Sequence, residues 1–208
     1  KAPDRLGVRM AARIGGAGGY QHWLKHRKTK TPMPIAIAVG AAPVTMFTGP
    51  MKLPIDMDEM AVAGGLASAP VRIAKCVSVD LDVPADAELV IEGLIDPDLL
   101  EPEGPFGESH GHIALEEFNM PMRVTAITHR RDAIVASYLS QVTPSESSAI
   151  KRVSYEPMFL AHLRNTLGIR AVKRVKLHER LTAIRRVIVV TMEKGAPRSE
   201  VWRALYGA

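Results

Sequence analysis

A chain of 208 residues that is 47% hydrophobic and 24% charged has the balance of a folded globular protein, with material for one sizeable core or two small ones. Its apolar runs are short; the run 184–192 is interrupted by Arg185 and Arg186, far from the roughly 20 apolar residues of a membrane helix, so no span is expected. The net charge of +5 gathers in two clusters, Lys25, His26, Arg27, Lys28 and Lys30, then Lys173, Arg174 and Lys176; with 5% aromatic residues and no nucleic-acid-reading motif, these read as solvated or anion-binding faces.

The single Cys76 cannot form an internal disulfide, and Lys1-Ala2-Pro3-Asp4-Arg5 lacks the apolar stretch of a signal peptide; both suit the cytoplasm. Gly15-Gly16-Ala17-Gly18-Gly19 reads as a backbone-exposing loop before a short helix at 20–26, whose amides suit a phosphate. The apolar, β-branched run 34–40, bounded by Pro34 and Gly40, is a buried strand. An acidic start and apolar spacing predict a helix over 56–66.

Alternation at 71–77 and 87–93 predicts two strands, with Val83-Pro84-Ala85-Asp86 as the turn between them. The segments 123–129 and 133–139 form a further pair, joined by an Arg130-Arg131-Asp132 link short enough for a hairpin. Ser145 caps a long helix to about 167, which Pro157 is expected to bend or split. Strands at 169–177 and 183–192 and a helix at 197–205 complete the chain. Many short strands, few helices and no strand–helix alternation predict a mostly β, α+β protein built as one domain, a closed or half-open antiparallel barrel with flanking helices.

The densest chemistry lies in Glu101-Pro102-Glu103-Gly104-Pro105-Phe106-Gly107-Glu108-Ser109-His110-Gly111-His112. Pro and Gly make it an ordered loop carrying two carboxylates, Glu103 and Glu108, on either side of a Gly-Pro-Phe-Gly turn. If the acids converge, repulsion and burial raise at least one pKa, as a general acid near neutral pH requires; otherwise they are surface acids facing water. His110 and His112 alternate, which suits either a metal pair or a rim position with one His on substrate. Cys76, in a strand, reads as a small core residue.

The run Glu103-Gly104-Pro105-Phe106-Gly107-Glu108, with Gly111 three residues on, resembles the signature loop of the UbiD family of decarboxylases. Lys75-Cys76, Asp80-Leu81, Val83-Pro84-Ala85 and Glu88-Leu89-Val90-Ile91-Glu92-Gly93 resemble the strand, turn and strand before that loop, and Ile127-Thr128-His129-Arg130 with Ala133-Ile134 the hairpin after it. Gly40, Ala41 and Pro43 resemble the family's Gly-x-x-Pro loop, so the likeness runs from about Tyr20 to the closing helix. The resemblance implies a split antiparallel β-barrel of the flavin-reductase, FMN-binding type. It implies prenylated FMN (or FMN), held at its phosphate through manganese and potassium, and non-oxidative decarboxylation or carboxylation of an aromatic or α,β-unsaturated carboxylic acid. The acid at Glu108 would protonate the carbon that loses carbon dioxide, and Glu103 would join the network that orients it. Pro43, Met51 and Lys52 fall in the region that lines the cofactor. A flavin prenyltransferase as supplier and homo- or hetero-oligomerisation follow from the same likeness.

The sequence departs from the family pattern in three ways. The network Arg and an Asn ligand align before Lys1, a ligand Glu is replaced by Arg72, and a ligand His falls near Arg13. A guanidinium cannot ligate manganese but neutralises phosphate with paired hydrogen bonds. Arg13 and Arg72 are therefore expected either to hold a flavin phosphate without metal or to mark a lost site, which leaves a flavin carrier or an accessory subunit as the alternative to a carboxy-lyase.

Overall fold

The computed structural model describes residues 5–8, 18–49, 51, 53, 57–107, 113–114, 117–138, 144–178 and 187–208. In chain order the elements are β1 (Arg5–Val8), α1 (Gly18–Thr29), β2 (Met33–Val39), α2 (Pro43–Thr48), α3 (Glu59–Ala67), β3 (Ile73–Lys75), β4 (Asp82–Pro84), β5 (Leu89–Ile95) and β6 (Glu101–Glu103). They continue with β7 (Phe106–Gly107), β8 (Ile113–Ala114), β9 (Glu117–His129), α4 (Glu146–Ala161), a π-helical turn (His162–Thr166), β10 (Val172–Leu177), β11 (Ile188–Met192) and α5 (Arg198–Gly207). The protein is mixed α+β, and its strand pairs are antiparallel. Two compact units divide the chain, the first Lys1–Pro105 with Leu115–Ser137, the second Phe106–Ala114 with Tyr138–Ala208.

The first unit is organised by an open sheet in the order β1-β9-β5-β2, with β6 also paired to β9. Among the described residues this path does not close on itself, so of the closed or half-open barrel that was expected the closed form is not seen there. Register places Met33, Ile95 and Met122 in one cross-strand row. Trp23 of α1 and Met120 join that row in a buried cluster, with Tyr20, Ile35, Ile37 and Ile91 packed around it. A period-2 pattern in the strands and one aromatic stripe on the helix are enough to build this layer. The Trp23 ring stacks on Tyr20 at 5.4 Å and lies under the Arg27 guanidinium at 5.0 Å. The basic residues His26, Arg27 and Lys28 fall in the last turn of α1, where the helix dipole favours them.

Several expectations on this unit are corrected. The turn expected at 83–86 is present, with the Ala87 amide bonded to the Pro84 carbonyl at 3.1 Å, but residues 82–84 also form β4, which pairs with β3 through a reversal at 77–80 that was not expected. The reason is tertiary, because Glu92 of β5 accepts from the amides of Val77 and Ser78 and holds the reversal there. Residues 133–138 form no strand, so the expected hairpin with 123–129 is absent over the described residues. The Ile134 amide donates to the Glu88 carboxylate at 3.1 Å instead of to a ladder partner. The short helix α2 was not anticipated, since Val44, Thr45, Phe47 and Thr48 are poor helix formers. It starts on Pro43 and has an internal bond from the Thr48 hydroxyl to the Thr45 carbonyl at 2.8 Å.

The second unit has its own core of Leu163, Ile169, Val172, Val175 and Ala204. Ser145 caps α4 in a reciprocal capping box with Ser148. Pro157 does not split α4; the helix runs through it and widens to a π turn at His162–Thr166, where the Leu167 amide reaches back to the His162 carbonyl. Glu156 ties α4 to β10, accepting from the Leu177 amide at 3.0 Å and pairing with Lys176 at 3.0 Å. Glu200 ties α5 to the start of the β10–β11 hairpin through the Ala171 amide at 3.0 Å.

Candidate functional site

The first unit gathers polar groups at the end of its sheet where β2 leaves, β5 begins and β9 ends. Val39, Leu89 and His129 form the last cross-strand row there. Just beyond, Glu88 donates its amide to the Val39 carbonyl and accepts the Arg130 amide on its own carbonyl, each at 3.0 Å. Its carboxylate pairs with the Arg130 guanidinium at 3.2 Å and takes the Ile134 amide. Gly40 turns away from the sheet at φ +71°, and a Cβ there would lie 2.7 Å from Cγ of Glu88. Only glycine combines that backbone angle with that approach.

Three residues on, Pro43 opens α2 and is exposed. Met51 is half-buried, its amide bonded to the Thr48 carbonyl at 3.0 Å. Arg72 precedes β3; its carbonyl accepts the Ala85 amide at 2.9 Å, while its guanidinium is exposed and has no ion-pair partner among the described residues. Arg13, Lys52, Glu108, His110 and His112 lie outside the described residues. Glu103 ends β6, opposite Glu117 of β9, and Phe106–Gly107 pairs with Ile113–Ala114, so the loop expected around the two acids contains a strand and a short hairpin.

On the face of the sheet opposite Trp23, Glu92 is 1% exposed. Its carboxylate accepts from the amides of Val77 at 3.0 Å and Ser78 at 2.7 Å and from the Ser78 hydroxyl at 2.7 Å. The Ser78 hydroxyl also meets Thr125 at 2.6 Å, the residue that β9 bulges out opposite Glu92 and Gly93. Burial alone raises the Glu92 pKa, but the Val77 amide, the Ser78 hydroxyl and the Ser78 and Val79 amides outweigh it and leave the carboxyl below the ordinary glutamate value. A cavity of about 220 Å³ lies between the β3–β4 hairpin and the sheet, walled by Val83 and Val90, with Lys75, Glu92, Thr128, His129 and Arg130 as its polar side chains. Burial, and then the Glu92 and Asp82 carboxylates, push the Cys76 thiol up, so it stays protonated and unreactive near neutral pH.

Sequence reasoning missed Glu88 and Glu92 as organising groups. The signal was present: acids at 88 and 92 share one face of an otherwise apolar strand, and a carboxylate in such a place needs several donors. Of the positions expected at a flavin, Pro43, Met51 and Arg72 are described, Arg72 as an exposed cation without an ion pair among the described residues. Among the described residues no group of three or more His, Cys, Asp or Glu could hold a metal.

The antiparallel α+β framework and the Glu-Gly-Pro-Phe-Gly-Glu segment spanning β6 and β7 define a class that comparison with known proteins identifies directly. Residues 1–142 match the UbiD family, described as the 3-octaprenyl-4-hydroxybenzoate carboxy-lyase Rift-related domain, and the chain belongs to that family. Among solved structures it resembles an evolved dimeric form of the UbiD-class enzyme HmfF from Pelotomaculum thermopropionicum in complex with prFMN, at 31% identity and TM-score 0.87 over 99% of this chain and 46% of that one. HmfF from the same organism in complex with FMN matches at 30% identity and TM-score 0.86, over 99% of this chain and 44% of that one. The open form of the vanillic acid decarboxylase of Sedimentibacter hydroxybenzoicus matches at 26% identity and TM-score 0.80, over 98% of this chain and 42% of that one. The chain thus spans less than half the length of each of these solved chains. No helix among the described residues is long and apolar enough to cross a membrane.

Proposed function

We propose that this chain is the flavin-binding part, a split-barrel domain over 1–208, of a carboxy-lyase. The enzyme would decarboxylate, or in reverse carboxylate, an aromatic or α,β-unsaturated carboxylic acid with prenylated FMN. The observation that carries the reading is the family match over 1–142, which contains the whole Glu103-Gly104-Pro105-Phe106-Gly107-Glu108 run. When bound, prenylated FMN supplies the electron sink for the departing carbon dioxide. The protein's share is positioning and proton transfer. Pro43, Met51 and Lys52 line the flavin, and Arg13 and Arg72 neutralise its phosphate in place of manganese and potassium. The carboxyl of Glu108 delivers the proton to the carbon that lost its carboxylate, and Glu103 tunes that acid. The enzyme works in the cytoplasm as a homo- or hetero-oligomer, supplied by a flavin prenyltransferase. An evolved dimeric HmfF among the similar structures supports assembly.

A second reading, a flavin carrier or accessory subunit without chemistry, is favoured by one observation: a cation, Arg72, stands where the family places a metal-binding carboxylate. One experiment separates the two. The chain is coexpressed anaerobically with a flavin prenyltransferase, and the purified protein is examined by ultraviolet-visible and mass spectra. Retained prenylated flavin, with carbon dioxide release from an unsaturated acid that Glu108→Gln abolishes, is the expected result. Flavin without carbon dioxide release supports the carrier, and a colourless protein supports the accessory subunit.

A further inference from the structure

Glu88 joins three chain segments at one corner of the first unit, and each contact is of a different kind. Its backbone pairs with Val39 on one side and Arg130 on the other, each at 3.0 Å. Its carboxylate takes the Ile134 amide at 3.1 Å and the Arg130 guanidinium at 3.2 Å. Its methylene stem fills the space beside Gly40, with Cγ and Cβ at 2.7 and 2.9 Å from where a side chain there would begin, and the Ile134 carbonyl closes the same space at 3.3 Å. The side chain is 16% exposed, so water screens the pair only partly.

Gly40 leaves β2 at φ +71° against this stem. The direction of Gly40, Ala41, Ala42 and Pro43 is therefore set by a side chain from the next strand and not by the loop itself. Residues 130–134 have no ladder to hold them, and the amides at both ends of this segment, Arg130 and Ile134, bond to Glu88. We propose that Glu88 is a positioning residue: through Gly40 it holds the Gly40–Pro43 loop in the geometry that receives the flavin. This rests on the flavin site proposed above. Glu88 touches no flavin in this account; it acts on the loop that does.

The test is FMN titration of the wild-type chain, Glu88→Gln and Glu88→Asp. It is followed by flavin fluorescence and visible circular dichroism, with far-ultraviolet dichroism and the thermal midpoint recorded for each protein. Glu88→Gln keeps the stem beside Gly40 and a carbonyl acceptor for the Ile134 amide, and it should bind FMN within about threefold of wild type. Glu88→Asp withdraws the carboxylate by one methylene. It should remain folded, bind FMN at least about tenfold more weakly and change the visible dichroism of what does bind. Equal FMN affinity in Glu88→Asp and wild type overturns the proposal, and so does a Glu88→Asp protein that loses binding only because it no longer folds. Failure of the wild type itself to take up FMN overturns the flavin reading instead, before any substitution is compared.

Discussion

Single residues decide most where backbone approaches backbone. Gly93 sits at the bulge between β5 and β9, and a Cβ there would run into the Arg123 carbonyl oxygen and the Met122 side chain. A backbone atom cannot turn aside as a side-chain tip does. Gly93→Ala should therefore lose roughly 1–3 kcal/mol, more than the roughly 0.4–1 kcal/mol gained from a less flexible unfolded chain. Urea unfolding measures this, and an unchanged midpoint would refute the account of the bulge. Arg72 is the other residue whose chemistry is unspent: an exposed guanidinium without an ion pair among the described residues. If it holds a phosphate, Arg72→Glu should weaken FMN binding in metal-free buffer by at least about tenfold, since a charge-assisted hydrogen bond contributes roughly 1.5–3 kcal/mol. Equal affinity of the two proteins would remove Arg72 from the site.

At the scale of elements, the β3–β4 hairpin is held to the sheet by one buried carboxylate. Glu92 accepts from Val77 and Ser78, and those donors keep its pKa below the ordinary value. A depressed carboxyl favours the fold when ionised. Its contribution is complete above the unfolded value of about 4.3 and is lost as the pH falls from there through the folded value. The wild type should thus lose urea stability on acidification below about pH 4.5 more steeply than Glu92→Gln, whose amide cannot titrate. Parallel curves for the two proteins would show that the reversal at 77–80 does not depend on this charge. The same hairpin shows where pattern reading misses. Alternation located 71–77 and 87–93 well enough and the turn at 83–86 is present, but the further reversal at 77–80 escaped it, because that one is held by Glu92, fifteen residues from Val77.

At the scale of the molecule, the buried apolar residues among those described form two clusters, one around Trp23, Ile95 and Met122 and one around Leu163, Ile169 and Val172. Each unit buries its own core, so damage should stay local. Leu163 is fully buried, and Leu163→Ala should destabilise the second unit by roughly 2–5 kcal/mol. Hydrogen exchange should then accelerate in α4, β10 and α5 while the amides of β5 keep their protection. Equal acceleration in β5 would show that the two cores unfold together.

By itself the sequence determined the elements with strong local signals. The run 34–40 became β2, the capped stretch from Ser145 became α4, and the Pro-Gly-punctuated acidic segment led to the family. Periodicity, caps and a contiguous motif are properties of neighbouring residues and survive without a fold. Only the tertiary structure decided that 133–138 stays out of the sheet, that poor helix formers wind into α2, and that Glu88 and Glu92 organise two loops. For residues 133–138 and the two carboxylates, the outcome depends on where a backbone donor finds its acceptor. That partner lies 14 to 46 residues away in the chain, beyond the reach of any local pattern.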